Sequence, residues 1–253
     1  QAHEAREGAE RDMVESQRRL VTEVLGVRRL HAVAGISMGG MQAFEWAVSH
    51  PEMVERVVSI VGTPRLTSSD LLLWRAELHA IESDVAYRGG AYEGRPELRA
   101  VLDIHHMALT TPAHRSRETS PEAFPAWIAE LERDTSFDWN DWRRQLEAMM
   151  GHDVGRGRGG LEAAARRITA RALVVVAEQD HAVNPGPSKD LARLTGAKLV
   201  TLAGDCGHAA PSCEEAKVVE AVRAHLADGS WSAVPASGLP AGAADVHGPA
   251  PTR

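Results

Sequence analysis

Two hydrophobic patterns alternate along the chain, and together they predict its fold class. Short apolar runs at about residues 30–35, 56–62, 171–177 and 198–203 are rich in β-branched residues, which is typical of buried parallel strands. Between several of these runs, apolar residues recur every three or four positions, which is the spacing of an amphipathic helix. Strands that alternate with helices in this way predict an α/β fold with a parallel sheet.

Helical periodicity also predicts individual helices. One helix is expected from Ala9 to Leu25, with Gly26 as the residue that ends it. The sequence Thr67-Ser68-Ser69-Asp70 resembles a capping box and predicts the start of a second helix. A further helix is expected from Ser120-Pro121-Glu122 onwards. Aromatic residues at helical spacing in this region are expected to pack against each other more than to bind substrate, namely Phe124, Trp127, Trp139 and Trp142.

The alternation of strands and helices is interrupted between the second and third strands. Residues 63–168 show helical periodicity, and we interpret them as an insertion into the core. The core then comprises residues 1–62, which include the serine motif described next, and residues 169–227. Residues 228–253 are rich in Ala, Gly and Pro without periodicity and are expected to form a disordered tail.

The junction after the first strand carries the most informative motif of the chain. Gly35-Ile36-Ser37-Met38-Gly39 has the form Gly-x-Ser-x-Gly, and Met41–Val48 is predicted to follow as a helix. Strand, glycine-flanked serine and helix form the arrangement that holds a nucleophilic serine on a sharp turn above a sheet. Side chains at Gly35 and Gly39 are expected to collide with the neighbouring strand and helix. A Gly-Ser turn without chemistry is the alternative interpretation.

The same motif predicts an acid and a histidine further along the chain, in that order. Asp180 follows the third strand, and His208 follows the fourth. Ligand sites of open parallel sheets lie at the C-terminal ends of the strands, so both side chains are expected to meet Ser37 there. Glu178 and Asp205 are the alternative acids.

Each of these groups has a distinct chemical role in the hypothesis. Ser37 is a weak nucleophile until a base removes its proton, and a histidine such as His208 is suited to that task near neutral pH. Asp180 would accept the other ring N–H of the histidine and so fix its tautomer. The backbone N–H of Met38, at the start of a helix, would help to bind the developing oxyanion.

The cysteines and histidines suggest two further interpretations. Cys206 and Cys213 give no disulfide framework, and none is expected. Because Cys206 lies just before His208 in the sequence, a cysteine–histidine nucleophile pair is an alternative to the serine. The histidines do not show the ligand spacing of a zinc site, and no metal is expected.

The composition narrows the class of partner. The 253-residue chain is 43% hydrophobic, which is enough for a sizeable core, and its formal net charge of −7 argues against nucleic acid as a partner. No apolar run approaches the roughly 18 residues of a membrane helix, and no signal peptide is visible. We therefore expect no membrane partner and a cytoplasmic location.

Several elements of the chain resemble the homoserine O-acetyltransferase family of the α/β-hydrolase superfamily. The most specific are Ser37-Met38-Gly39-Gly40-Met41-Gln42 and His152-Asp153-Val154-Gly155-Arg156, within a likeness that spans residues 10–226. Members of this family transfer an acetyl or succinyl group from coenzyme A to a hydroxyl through an acyl-serine intermediate. The resemblance implies the α/β-hydrolase fold, a lid formed by the insertion, and the triad Ser37, Asp180 and His208. It also implies a small-molecule acyl ester or acyl-CoA as substrate, with no bound cofactor. The glycine-rich run Arg156–Gly160 could hold a phosphate of coenzyme A, although such runs are more often loops.

The chain departs from the family next to the expected site. Family members usually carry an aspartate directly after the catalytic histidine, where this chain has Ala209, and an arginine in the lid, where it has Leu102 with Arg99 one turn away. Those charged groups would pair with an amino-acid acceptor, and an unpaired charge in a closed tunnel costs several kcal/mol. We therefore expect hydrolysis of a small acyl ester, with acyl transfer from acyl-CoA to an alcohol as the alternative.

The sequence also predicts fewer strands than the resemblance requires. The visible strands are about half of those in the superfamily sheet, and the N-terminal ones are expected to be missing from this sequence. No segment matches the loop that donates the second oxyanion N–H in such sheets. A third hypothesis follows, in which the chain is a catalytically silent module that offers the open edge of strand 30–35 to a partner. A homodimer also remains open.

Overall fold

The computed structural model describes residues 9–94, 96–133 and 138–227, and its centre is a four-stranded parallel sheet. The strand order follows the sequence, with each strand paired to the next. The strands are β1 (Val33–Ile36), β2 (Arg56–Ile60), β3 (Arg171–Ala177) and β4 (Lys198–Leu202). The predicted α/β class and its four parallel strands are therefore confirmed, but two bounds differ. The first strand begins at Val33, since Leu30 makes only an isolated bridge to Val54, and the second ends at Ile60 rather than at residue 62. The tail expected at residues 228–253 lies outside the described residues.

Helices surround this sheet and occupy most of the remaining described chain. The first part of the chain forms α1 (Ala9–Arg19) and α2 (Met38–Ser49). Between β2 and β3 lie α3 (Ser68–Ser83), α4 (Arg99–Leu109), α5 (Pro112–Glu118), α6 (Phe124–Arg133), α7 (Trp139–Met150) and α8 (Leu161–Ala165). The last part forms α9 (Gly186–Thr195), α10 (Ala210–Cys213) and α11 (Glu215–Ala227).

The two central strands are buried by helices on both faces of the sheet. Every residue of β2 is buried, and so are the last five residues of β3. Alternate β3 side chains point to opposite faces. Val174 and Val176 pack in a cluster with α2, α8 and α9, whereas Leu173 and Val175 pack in a cluster with α11. Burial on both faces explains the nearly continuous apolar sequence of these strands.

A separate hydrophobic cluster organises the helices between β2 and β3. It joins α3, α4 and α7 through Trp74, Leu102, Trp139 and Leu146, and Met41 of α2 connects it to the core. The predicted capping box is present, because the Thr67 side chain accepts from the backbone of α3 while Asp70 accepts from the backbone of Thr67. These helices therefore form a layer that covers the start of α2.

Two predicted helix boundaries differ from the structure. The first helix is regular only to Arg19 and continues to Val24 as a π-helix, in which the Thr22 hydroxyl donates to the Arg18 carbonyl at 2.8 Å. Such side-chain bonding to a backbone carbonyl competes with regular helical geometry. The helix expected from Ser120 begins at Phe124 instead, after a turn in which the Phe124 N–H donates to the Ser120 carbonyl. Within the described residues, no helix is both long and apolar enough to cross a membrane.

Candidate active site

Ser37 occupies the turn between β1 and α2 in a strained backbone conformation. Its φ is 55° and its ψ is −120°, a combination that non-glycine residues rarely adopt. The Ser37 N–H donates to the Ile60 carbonyl of β2 at 2.8 Å, which ties the turn to the neighbouring strand. Strain of this kind persists only where the surrounding structure enforces it, and it concentrates at functional sites.

The glycines around Ser37 allow close contacts at Gly35 and Gly40, whereas the sequence predicts them at Gly35 and Gly39. A Cβ on Gly35 would lie 2.1 Å from the carbonyl of Gly39, so the expectation for Gly35 is confirmed. The expectation for Gly39 is wrong, because a Cβ there would meet nothing within 4 Å outside its own helix. The tight helix–strand contact falls instead on Gly40, whose added Cβ would lie 2.7 Å from Ser59 Oγ and 3.1 Å from Gly62 Cα.

His208 lies between Ser37 and Asp180 and contacts both. It belongs to a short 3₁₀-helix (Gly207–Ala209) after β4, and its Nε2 is 2.9 Å from Ser37 Oγ. Its Nδ1 is 2.7 Å from Asp180 Oδ2. With the Nδ1–H donated to the carboxylate, Nε2 can accept the Ser37 hydroxyl proton. The structure therefore brings together the three side chains that the sequence singles out.

Asp180 is held in place by its own loop. Its side chain is 1% exposed, and Oδ1 accepts the backbone N–H groups of Ala182 at 2.9 Å and Val183 at 2.8 Å. The other oxygen faces His208, so both carboxylate oxygens have partners. A buried carboxylate with this set of donors is oriented before any substrate arrives.

The two alternative acids have other partners. The Glu178 carboxylate pairs with Lys189 at 2.6 Å on the protein surface. Asp205 pairs with the Arg117 guanidinium at 2.9 Å, and this hydrogen bond lowers the pKa of Asp205 to about 2. Asp180 is therefore the acid whose carboxylate contacts His208.

Cys206 and Cys213 form a disulfide, so the expectation that they would not is wrong. The short α10 turns the chain back and leaves their Cα atoms 6.6 Å apart, a distance that a disulfide spans. Cys206 is thus no free thiol in this state, which removes the cysteine–histidine alternative. Among the described residues, the two sulfurs and His114 also form a cluster of metal-ligand atoms, but both sulfurs are bonded to each other here.

The glycine-rich segment after α7 has structural partners. Arg158 pairs with the buried Glu45 at 2.7 Å and also donates to Ser49. His152 is buried with its Nε2 3.0 Å from the Thr63 carbonyl, and burial lowers its pKa to about 4. These contacts favour the loop interpretation of the segment over a phosphate site.

A cavity of about 210 Å³ opens in front of Ser37. Helices α3, α4 and α7 supply most of its wall, so the helical layer shapes the space next to the serine. The aromatic prediction is confirmed, because the ring centroids of Trp139 and Trp142 lie 5.6 Å apart and those of Phe124 and Trp127 lie 5.7 Å apart. Trp142 also borders the cavity. The lining residues are Ser37, Met38, Trp74, Glu77, His105, Trp142, Gln145, Leu146 and Met149.

Glu77 is a cavity residue that the sequence interpretation missed. Its side chain is 1% exposed, and its two oxygens accept from His105 Nδ1 at 3.1 Å and from Trp142 Nε1 at 3.2 Å. Glu77 follows Trp74 by three positions and therefore shares the apolar face of α3. The signal that could have identified Glu77 is its charge, because it lies on the face of α3 that the periodicity predicts to be apolar.

The structure also shows the surroundings of the positions at which the chain departs from the homoserine O-acetyltransferase pattern. Leu102 is buried in the hydrophobic cluster of α3, α4 and α7. Arg99 pairs with Glu97 at 2.8 Å and with Glu132 at 3.3 Å, and neither it nor Leu102 borders the cavity. Ala209 is half-buried directly after His208.

The parallel sheet, the strained serine turn and the Ser37–His208–Asp180 contacts define an α/β hydrolase. A family model described as the alpha/beta hydrolase fold matches residues 5–212, and the chain belongs to this family.

The relatives of the chain include both acyltransferases and esterases. It is 31% identical over 237 residues to homoserine O-acetyltransferase of Thermobifida fusca (strain YX), a match that covers 85% of this chain and 58% of that protein. The crystal structure of homoserine O-acetyltransferase from Bacillus anthracis superposes with a TM-score of 0.78 at 25% identity, over 85% of this chain and 64% of that one. The structure of the acetyl esterase MekB superposes with a TM-score of 0.74 at 26% identity, over 85% of this chain and 66% of that one. The predicted resemblance is confirmed, and the chain spans less than two thirds of the curated relative.

Proposed function

We propose that this chain hydrolyses small acyl esters through an acyl-Ser37 intermediate. The observation that carries the proposal is the unbroken path from the buried Asp180 carboxylate through His208 to Ser37 Oγ, at a strained turn that faces a cavity. The contacts of Asp180 and Ser37 with His208 support the roles proposed for these three residues.

Acylation begins when Ser37 Oγ attacks the ester carbonyl carbon while His208 Nε2 accepts the hydroxyl proton. The carbonyl oxygen becomes an oxyanion, for which the Met38 N–H at the start of α2 is the proposed donor. Asp180 stabilises the imidazolium through Nδ1–H. The tetrahedral intermediate then expels the alkoxide, which takes the proton from Nε2.

Deacylation repeats these steps with water as the nucleophile. His208 Nε2 removes a proton from water, the resulting hydroxide attacks the acyl carbon, and Ser37 Oγ leaves and recovers its proton from the imidazolium. The cavity volume of about 210 Å³ is below the range of about 300–1,000 Å³ typical of ligand pockets, which favours a short acyl group such as acetyl.

Acyl transfer to a hydroxyl is the second candidate function, and Glu77 is the observation that favours it. A buried carboxylate in the cavity wall would attract the ammonium group of an amino-alcohol acceptor. Against it stand Ala209 and the buried Leu102, because neither offers a charged group to such an acceptor. We therefore place hydrolysis first.

The test supplies p-nitrophenyl acetate and follows nitrophenol release and acetyl products together. We expect a burst of about one nitrophenol per chain, followed by steady hydrolysis. Ser37→Ala should show neither the burst nor labelling by a fluorophosphonate. Homoserine added at rising concentration should hardly divert acetyl into O-acetylhomoserine, whereas saturable diversion would replace hydrolysis with transfer.

The same experiment addresses the third hypothesis. A folded chain that shows no burst and no fluorophosphonate labelling would be a catalytically silent module. Folding is checked in parallel by far-ultraviolet circular dichroism, with Ser37→Ala as the matched control.

A further inference from the structure

We propose that Cys206 and Cys213 form a thiol–disulfide exchange site that adjusts the position of His208. The exchange chemistry stands independently of the proposed function. Only its effect on turnover rests on His208 acting as the base.

The disulfide encloses the histidine in a small ring of chain. Cys206 directly precedes the 3₁₀-helix that carries His208, and Cys213 ends the following α10. The bridge therefore ties together the two ends of the segment that holds the imidazole. A covalent constraint this close to the histidine restricts where its ring can lie.

The two sulfurs differ in their access to solvent. Cys206 is 6% exposed and packs in the cluster beneath α11, whereas Cys213 is an exposed residue at the end of its helix. A reductant thiolate can therefore reach Cys213 Sγ more readily. Attack there makes Cys206 the leaving thiolate.

The surroundings of Cys206 favour its departure as a thiolate. His114 Nδ1 lies 3.3 Å from Cys206 Sγ, and the Arg117 guanidinium lies 3.1 Å from the same ring nitrogen. Asp205 pairs with Arg117 and faces His114 at 3.7 Å, so it balances part of that positive charge. Because Arg117 donates to Nδ1, this nitrogen accepts there and holds the guanidinium near Cys206, and a nearby cation stabilises the thiolate form. A better leaving thiolate makes exchange faster.

The reaction is a two-electron exchange with an external dithiol. One reductant thiolate attacks Cys213 Sγ, forms a mixed disulfide and breaks the Cys206–Cys213 bond, and the electron pair leaves on Cys206. The second thiolate of the reductant then attacks the reductant sulfur that is bonded to Cys213 Sγ, and Cys213 leaves as a thiolate. Both cysteines end as thiols after taking up two protons, and the dithiol ends as a cyclic disulfide.

Reduction of the disulfide removes one of several contacts that hold the segment from Cys206 to Cys213 in place. A Cβ on Gly207 would lie 3.1 Å from the Leu109 carbonyl, so this residue packs against the end of α4. The Thr111 hydroxyl also donates to the Asp205 carbonyl at 2.6 Å. These contacts hold the residues before His208. The residues after it are tied back by the disulfide and by Glu214, whose Oε1 accepts the Gly204 N–H at 3.0 Å and keeps this contact after reduction. Reduction should therefore loosen the C-terminal side of the histidine.

The first experiment measures exchange without using activity. The native chain is treated with dithiothreitol, quenched with iodoacetamide and analysed by mass spectrometry for alkylated cysteines. We expect complete reduction without denaturant and about tenfold slower exchange in His114→Gln, because the Cys206 thiolate becomes a poorer leaving group. His79→Gln, an exposed histidine on α3, is the matched control and should exchange at the wild-type rate.

The second experiment measures the consequence for the histidine. Reduction should lower the rate of fluorophosphonate labelling of Ser37 by about tenfold, since small displacements of a base carry large penalties. The double variant Cys206→Ser/Cys213→Ser should be insensitive to the reductant. Reduction only in denaturant, or equal exchange rates in wild type and His114→Gln, would overturn the exchange site. An unchanged labelling rate in a fully reduced chain would overturn the proposal that the disulfide adjusts the position of His208. Absent labelling in the oxidised chain would count against the proposed function alone.

Discussion

His105 Nδ1 lies 3.1 Å from Glu77 Oε1 in the wall of the cavity that Ser37 faces. An imidazole and a buried carboxylate thus form a second pair beside the Asp180–His208 pair. Both members of the second pair line the same cavity as Ser37.

Glu77→Gln should weaken binding of a small cation in this cavity. We expect the inhibition constant of ethanolamine against p-nitrophenyl acetate to rise by about tenfold, since a hydrogen bond to a charged group is worth about 1.5–3 kcal/mol. Steady-state inhibition kinetics provide the measurement. Glu82 on the same helix pairs with the half-buried Arg143 at 3.1 Å and does not line the cavity, so Glu82→Gln is the control. Equal inhibition constants in wild type and Glu77→Gln would remove the carboxylate from acceptor binding.

Ser37→Gly should make the protein more stable than Ser37→Ala. Both variants remove the nucleophile, but only glycine adopts a φ of 55° without strain. We expect the free energy of unfolding to be about 1 kcal/mol higher for Ser37→Gly. Urea unfolding followed by circular dichroism measures the difference. A Ser37→Ala variant as stable as Ser37→Gly would show that the turn is relaxed.

Gly35→Ala and Gly39→Ala should differ sharply although both positions belong to the same motif. The methyl group at position 35 would meet the Gly39 backbone at 2.1 Å, and we expect a loss of about 3 kcal/mol in the free energy of unfolding. The methyl group at position 39 has free space, so Gly39→Ala should unfold close to wild type. Parallel urea titrations compare the two, and similar losses in both would contradict the assignment.

The local geometry of the serine turn was predictable because it depends on neighbouring residues. A strand, a small residue and a helix start are all visible in the sequence around Ser37, and Asp180 and His208 each follow a predicted strand. Parallel strands bring their C-terminal ends to one edge of the sheet. The meeting of these three side chains therefore follows from the order of the elements.

Other parts of the site depend on packing between distant segments. Glu77 lines the cavity because α3 packs against α4 and α7, which the periodicity of α3 alone does not specify. Likewise, the Cys206–Cys213 bond depends on the turn made by α10. Gly40 rather than Gly39 meets Gly62 because the axis of α2 is set by its contact with β2.

The free energy of unfolding should decrease as the pH falls from about 6.5 to about 4, because His152 is buried in the folded chain. Burial lowers its pKa from 6.5 to about 4, so over this interval the unfolded chain takes up a proton that the folded chain excludes. The free energy of unfolding should therefore fall by about 3 kcal/mol from this group, with little effect above pH 7. The measurement is urea unfolding at several pH values. His152→Gln should lack this slope, and His79→Gln should keep it.

Ala209→Asp should shift the fate of the acyl group from water towards homoserine. Position 209 directly follows His208, and homoserine O-acetyltransferases, which this chain resembles, usually carry an aspartate there. A carboxylate at this position would pair with the ammonium group of the acceptor as it enters the cavity, and such charge-assisted bonds contribute about 1.5–3 kcal/mol.

We therefore expect the ratio of O-acetylhomoserine to acetate at a fixed homoserine concentration to rise by about tenfold or more in Ala209→Asp. Ala209→Asn has the same shape without the charge and is the matched control, so it should leave the ratio near that of the wild type. Both products are quantified by mass spectrometry after reaction with p-nitrophenyl acetate. An equal rise in both variants would assign the effect to shape, and no rise in either would place the acceptor away from residue 209.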